Sequence, residues 1–150
     1  MEELVSLDKI KAQVEASSWQ EAVFAAGQLL IDSGDIEKAY LDDMIKSVEQ
    51  YGPYMVISKG FALAHAAPCE AVKRSAVSLI NLKEGVAFGS PNDPVKVVMC
   101  LACTDKESHI GQLQKIARKL MVEGTIEKLA ESETAEELYR IINDKEVDEL

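Results

Sequence analysis

Two histidines are the only imidazoles in this 150-residue chain, and each stands where its ring could do chemistry. His65 lies in Gly60-Phe61-Ala62-Leu63-Ala64-His65-Ala66-Ala67-Pro68, at the end of a short extended run and just before a proline. Small neighbours leave the ring accessible and let backbone N–H groups, here around Ala66 and Ala67, approach a bound anion. A neutral imidazole is nucleophilic near pH 7 and needs no strong base. His109 follows Thr104-Asp105-Lys106-Glu107-Ser108, in the first turn of a helix directly after a strand. Ligands of α/β sheets gather beyond the carboxyl ends of strands. The positive end of the helix dipole disfavours imidazolium, so His109 reads as a neutral donor suited to a phosphoryl oxygen. Taken singly, each histidine has a plainer reading: a packed ring at a strand end for His65, a solvated helix-start residue for His109.

The three cysteines offer less. Cys100-Leu101-Ala102-Cys103 has the Cys-x-x-Cys spacing, but in a strand positions three apart point to opposite faces. No second Cys or His pair supplies further zinc ligands, so buried packing is expected and no metal. An odd number of cysteines argues against a disulfide framework. Cys69, four residues after His65, leaves a Cys/His hydrolase dyad as a remote alternative. Walker, dinucleotide-glycine and His-Glu-x-x-His motifs are absent, and no cofactor is expected. Asp42-Asp43 and Glu136-Glu137 read as solvated helix faces.

The elements that must position these residues follow from hydrophobic period and punctuation. Residues 8–16 alternate, with Ile10, Ala12, Val14 and Ala16 on one face of a half-buried strand. Ser18-Trp19-Gln20-Glu21 is a capping box that opens a helix with an apolar stripe of Ala22, Ala25, Ala26, Leu29 and Leu30, stopped at Gly34. A second helix spans 36–51 and closes at Gly52-Pro53. Strands are expected over 54–57, 61–64 and 75–82. Gly85 and residues 89–94 are turn chemistry around a short segment 86–88. Residues 95–103 form a strand apolar on both faces, which places it centrally in a sheet. A helix follows over 107–122, burying Ile110, Leu113, Ile116, Ala117, Leu120 and Met121. A short helical piece then ends near Ser132, and the capping box Thr134-Ala135-Glu136-Glu137 opens the last helix. Residues 143–150 read as a frayed acidic end. The expected fold is α/β, a single domain over 1–150 with a mixed central sheet flanked by helices on both faces.

Composition narrows the function classes. A net charge of −10, spread over both halves, leaves no basic patch for nucleic acid and steers the chain towards basic partner surfaces. No apolar run is long enough to span a membrane; the longest covers 97–103. The N-terminus is acidic and lacks a signal-peptide core, so a cytoplasmic location is expected.

GFALAHAAP and VAFGSPNDPVKVVMCLACTDKESHIGQLQKIARKL together resemble the IIA component of the bacterial phosphoenolpyruvate-dependent sugar phosphotransferase system (PTS). Within it the chain is similar to the mannitol/fructose type, and most of all to the ascorbate branch. The marks are a histidine after a Gly-x-Ala-Leu segment, a Phe-Gly-x-x-x-Asp-Pro-Val turn, and a second histidine shortly after the central strand. The resemblance covers roughly residues 5–143. It implies that His65 accepts a phosphoryl group from the phosphocarrier protein HPr, as a tele-phosphohistidine candidate, and passes it to a cysteine of the IIB component. It implies that His109 stabilises that group, and that the membrane component IIC is an indirect partner. A regulatory relative that binds partners according to His65 phosphorylation is the main alternative. Two departures stand out. Ala64 occupies the place where relatives commonly have proline, and Glu49 stands where mannitol-type relatives usually have arginine, which favours the ascorbate branch. Weak interfaces around an apolar patch of Ala, Leu and Phe are expected.

Overall fold

A computed structural model describes residues 3–144. After a 3-10 turn at Leu7–Lys9 come β1 (Ile10–Val14), α1 (Trp19–Asp32), α2 (Lys38–Tyr51), β2 (Val56–Ser58) and β3 (Phe61–Ala64). They are followed by β4 (Ala76–Val86), β5 (Val95–Ala102), α3 (Lys106–Leu120), α4 (Thr125–Glu131) and α5 (Ala135–Ile142). The sheet order is β1-β4-β5-β3-β2. β1 runs parallel to β4 and β3 to β5, while β4–β5 and β2–β3 are antiparallel. This is the expected mixed sheet with helices on both faces.

β5 is the middle strand because both of its faces are apolar. Val98, Cys100 and Ala102 join one core with Ala22, Ala26 and Leu30 of α1 and Tyr40, Leu41 and Met44 of α2. Val97, Met99 and Leu101 join the other with Ile116 and Leu120 of α3, Leu129 of α4 and Leu138 and Ile142 of α5. α1 and α2 pack so closely that a Cβ at Gly27 would lie 2.6 Å from Leu41 Cδ1.

Several expectations are corrected. The alternation along β1 breaks at Gln13, whose φ is +55°. Its N–H bonds Asn81 Oδ1 at 2.7 Å, the pairing with β4 shifts, and Val14 turns to the α1–α2 core while Ile10 stays on the α3–α5 side. The strand expected over 54–57 starts at Val56, because Tyr54 and Val56 N–H groups are tied into a turn by the Gly52 and Pro53 carbonyls. Gly85 is no turn: β4 runs on to Val86, and Gly85 is needed there because a Cβ would meet Pro94 Cβ at 2.9 Å. The Asp93 carboxylate accepts the Phe88, Gly89 and Ser90 N–H groups and closes the following turn. In the first capping box Ser18 Oγ accepts from Glu21 N–H, while the Glu21 carboxylate reaches Ser17 instead of Ser18. Ile110 and Met121, expected inside, are 56% and 84% exposed: α3 buries Ile116, Lys119 and Leu120, Ile110 stands on the earlier turns, and Met121 is the C-cap, where the helix has ended. Asn143 is not frayed: its Oδ1 accepts the Leu4 and Val5 N–H groups and its Nδ2 donates to Val5 O. The rest of the expected acidic end, 145–150, lies outside the described residues.

Candidate functional site

The parallel strands β3 and β5 run side by side to the same sheet edge, ending in the pair Ala64–Cys100. Along β3, Phe61 and Leu63 enter the α3–α5 core, and Ala62 and Ala64 the α1–α2 core. Alternation therefore delivers the next side chain, His65, to the α3 side. The chain leaving β5 turns through Asp105, whose carboxylate caps α3 by accepting Ser108 N–H at 2.7 Å and Ser108 Oγ at 2.8 Å. That cap fixes the first turns of α3 and brings His109 over the end of β3. The two imidazole centroids lie 5.5 Å apart, with the rings tilted by 53°. Both rings are half-buried. The structure thus brings together the two histidines singled out in the sequence.

The environment gives each ring a different state. Nδ1 of His65 lies 2.8 Å from the Leu63 carbonyl oxygen. A carbonyl only accepts, so Nδ1 carries the hydrogen and Nε2 keeps its lone pair. His109 has no such partner: its Nδ1 is buried with no hydrogen bond, as is Oε1 of Gln112 on the next turn. Burial, and secondarily the charge that His65 can carry, hold the His109 pKa below the usual imidazole range. At neutral pH His109 is an uncharged ring beside a ring with a free nitrogen. That pairing suits an anionic group on His65 Nε2, with His109 as a hydrogen-bond donor to it.

Two tyrosines, Tyr40 and Tyr54, complete the site and were missed in the sequence. Tyr54 meets the His65 ring edge to face, with centroids 5.6 Å apart, and its hydroxyl donates to the His65 carbonyl at 3.1 Å. Tyr40 is fully buried in α2, and its hydroxyl lies 3.0 Å from the Ala66 N–H, the Ala66 carbonyl and the Leu101 carbonyl. The only available signal was that a tyrosine on a core-facing helix stripe must find a partner for its hydroxyl. The Ala66 N–H, expected to face a bound anion, is instead taken by Tyr40.

Further along, the loop after His65 is held by Asp35. This nearly fully buried carboxylate bonds Arg74 Nε at 2.8 Å and Lys9 Nζ at 3.1 Å, and its carbonyl accepts the Lys73 and Arg74 N–H groups. Burial alone would raise its pKa; Ser33, Lys9 and Arg74 outweigh that and hold it below the usual range.

Cys100 and Cys103 are buried in opposite cores, as their spacing required, and burial pushes the Cys100 thiol up to about 12. Cys69 is exposed on the loop. Phe61 and Leu63, expected in a surface apolar patch, are buried; the exposed apolar side chains flanking the histidines are Tyr54 and Ile110. The Phe-Gly-x-x-x-Asp-Pro-Val turn lies at the start of β5, at the opposite sheet edge from His65. Among the described residues no three His, Cys, Asp or Glu side chains converge on a point where a metal would sit. None of the described helices is long and apolar enough to cross a membrane.

Residues 3–145 match the family described as phosphoenolpyruvate-dependent sugar phosphotransferase system, EIIA 2. The ascorbate-specific PTS system EIIA component of Salmonella typhimurium (strain LT2) is 35% identical over 143 residues, covering 93% of this chain and 92% of that protein. The mannitol-specific cryptic phosphotransferase enzyme IIA of Escherichia coli superposes with a TM-score of 0.86 at 29% identity, over 95% of this chain and 99% of that one. A complex of the mannitol enzyme IIA with phosphorylated enzyme IIB from E. coli contains a chain of the same fold, with a TM-score of 0.81 at 23% identity, over 92% of this chain and 96% of that one.

Proposed function

The chain belongs to the phosphoenolpyruvate-dependent sugar phosphotransferase system EIIA 2 family, and from that premise we propose that His65 Nε2 is its phosphoryl acceptor, with HPr as donor and a cysteine of a IIB component as recipient. Membership makes it a phosphotransferase component, a phosphocarrier of a sugar transport system. Ascorbate is the proposed transported substrate, because the curated relatives that carry that specificity are 35% identical over nearly the whole chain.

The observation that carries the residue assignment is the His65 Nδ1 contact with the Leu63 carbonyl. The Nε2 lone pair attacks the phosphorus; the bond from phosphorus to the donor imidazole breaks, and its electron pair stays on the donor nitrogen. His65 becomes a phosphoimidazolium whose Nδ1–H remains on the Leu63 oxygen. The positive ring weakens the new P–N bond, so the group can be handed on to a thiolate, and the electron pair then returns to Nε2. Such transfers rest on positioning and on stabilising the oxygens. His109, neutral and next to the nucleophile, supplies a donor without adding a competing charge. Tyr54 and Ile110 give partners an apolar foothold beside the histidines, of the modest size that quick release requires.

The test is intact mass after incubation with phosphoenolpyruvate, enzyme I and HPr. Wild type is expected to gain one acid-labile phosphoryl group and His65→Ala none. A wild-type protein that gains nothing, with enzyme I and HPr shown active, overturns the carrier reading for this site.

A further inference from the structure

The peptide unit that follows His65 is gripped from both sides. Its carbonyl oxygen, on His65, accepts from the Tyr54 hydroxyl at 3.1 Å. Its N–H, on Ala66, donates to the Tyr40 hydroxyl at 3.0 Å. The ladder between β3 and β5 has already ended at Ala64–Cys100, so no strand partner holds this unit. Tyr40 takes over that task. Its oxygen is 3.0 Å from the Leu101 carbonyl, so its one proton can bridge the loop to the end of the central strand. Both phenols are protonated, and so able to donate, at neutral pH, and burial raises their pKa further from it.

The direction of the His65 ring is set by this short stretch of backbone. The Nδ1 contact reaches back to Leu63 within the same turn of chain, and it survives only while residues 63–66 keep their orientation. A rotation of the 65–66 peptide plane would swing the ring and its Nε2 away from His109.

We propose that Tyr40 and Tyr54 are positioning residues for phosphoryl transfer, a clamp on the His65–Ala66 peptide plane that aims Nε2 and fixes the Nδ1–H form of the ring. Each hydroxyl is bonded to the backbone beside His65 and acts through it. This rests on His65 being the acceptor. A nucleophile misplaced by about an ångström loses on the order of a hundredfold in rate.

The experiment uses Tyr40→Phe, Tyr54→Phe and the double variant, which keep both rings and remove only the hydroxyls. Phosphorylation by phospho-HPr is followed by rapid quench over a range of HPr concentrations, well below each variant's melting temperature. In parallel, imidazole 15N shifts of the unphosphorylated proteins report the His65 tautomer. The expected result is a maximal rate lower by about tenfold for each variant and about a hundredfold for both, with the half-saturating HPr concentration of Tyr40→Phe unchanged. The Nδ1–H signature of His65 is expected to give way to a mixture. Wild-type rates with the Nδ1–H form retained, alongside nothing but lower melting temperatures, overturn the clamp. If Tyr40→Phe does not fold, Tyr54→Phe alone decides, since its side chain is 40% exposed. Absence of phosphorylation in wild type instead defeats the carrier reading, and the tautomer measurement still tests the clamp.

Discussion

His65 Nδ1 donates to the carbonyl oxygen of Leu63, two residues earlier in the chain, at 2.8 Å. A ring that bonds its own strand in this way has one nitrogen committed to the backbone and the other facing outward. The phosphoryl group is therefore expected on Nε2, giving tele-phosphohistidine. One-bond coupling of phosphorus to the imidazole nitrogen that bears it, in 15N-labelled phosphoprotein, distinguishes the positions. Phosphorus attached to Nδ1 would require the Leu63 contact to break, and would show that the resting geometry does not set the reaction.

His109 faces His65 from α3 across 5.5 Å between ring centroids, close enough for its ring to donate to a group carried on His65. Removing one such donor from a site that stabilises oxygen charge costs about 10²- to 10³-fold in rate. His109→Ala is expected to slow both the gain of phosphate from HPr and its loss to the recipient thiol by amounts in that range. His109→Gln, which keeps a donor, is expected to lose less. Rapid-quench rates of the two half-reactions measure this; unchanged rates in His109→Ala would remove the stabilising role.

The depressed pKa of His109 has a consequence for stability. Burial, with a smaller part from the His65 charge, disfavours protonation in the fold, whereas the unfolded chain protonates near the ordinary 6.5. As pH falls below 6.5 the unfolded state binds the proton first, so stability is lost progressively until the folded pKa is reached, and above 6.5 no such loss remains. Denaturant unfolding of wild type and His109→Gln across roughly pH 5 to 7 checks the sign. Wild type is expected to lose stability more steeply on acidification. Parallel curves would mean that His109 is protonated as readily in the fold as outside it.

Those consequences depend on contacts that differ in how far a sequence reveals them. β3 spans the expected residues 61–64, and β5 spans 95–102, one residue short of the expected end, because an apolar run on both faces has one place in a sheet. The pairing of His65 with His109 was legible from their positions after these two strands, once the family pattern was set beside them. The break in β1 was not legible: the buried Asn81 amide accepts the Gln13 N–H from 68 residues away, and no local pattern encodes that. Nor was the exposure of Ile110. An apolar residue at helical spacing looks buried, but α3 buries its side chains near Ile116 and Leu120, and on its first turns Ile110 is left exposed while the neighbouring His109 is half-buried. Tyr40 was hidden for the opposite reason. Its ring obeys the core pattern, and its function lies in one hydroxyl that meets the loop 26 residues on.

The cysteines separate the carrier from a Cys/His enzyme. Cys100 and Cys103 are fully buried in different cores, while Cys69 is exposed on the loop after His65. In the native protein a thiol reagent is expected to modify Cys69 promptly and the other two only after denaturation, and mild oxidation is expected to leave Cys100 and Cys103 unlinked. The His65 ring already spends Nδ1 on Leu63 and faces Tyr54 and His109, so transfer needs no thiol from this chain. Cys69→Ala is therefore expected to accept phosphate from HPr at the wild-type rate. If that substitution abolished the reaction while the fold persisted, the thiol and not the imidazole pair would be the reacting centre, and the buried geometry around His65 would need another purpose.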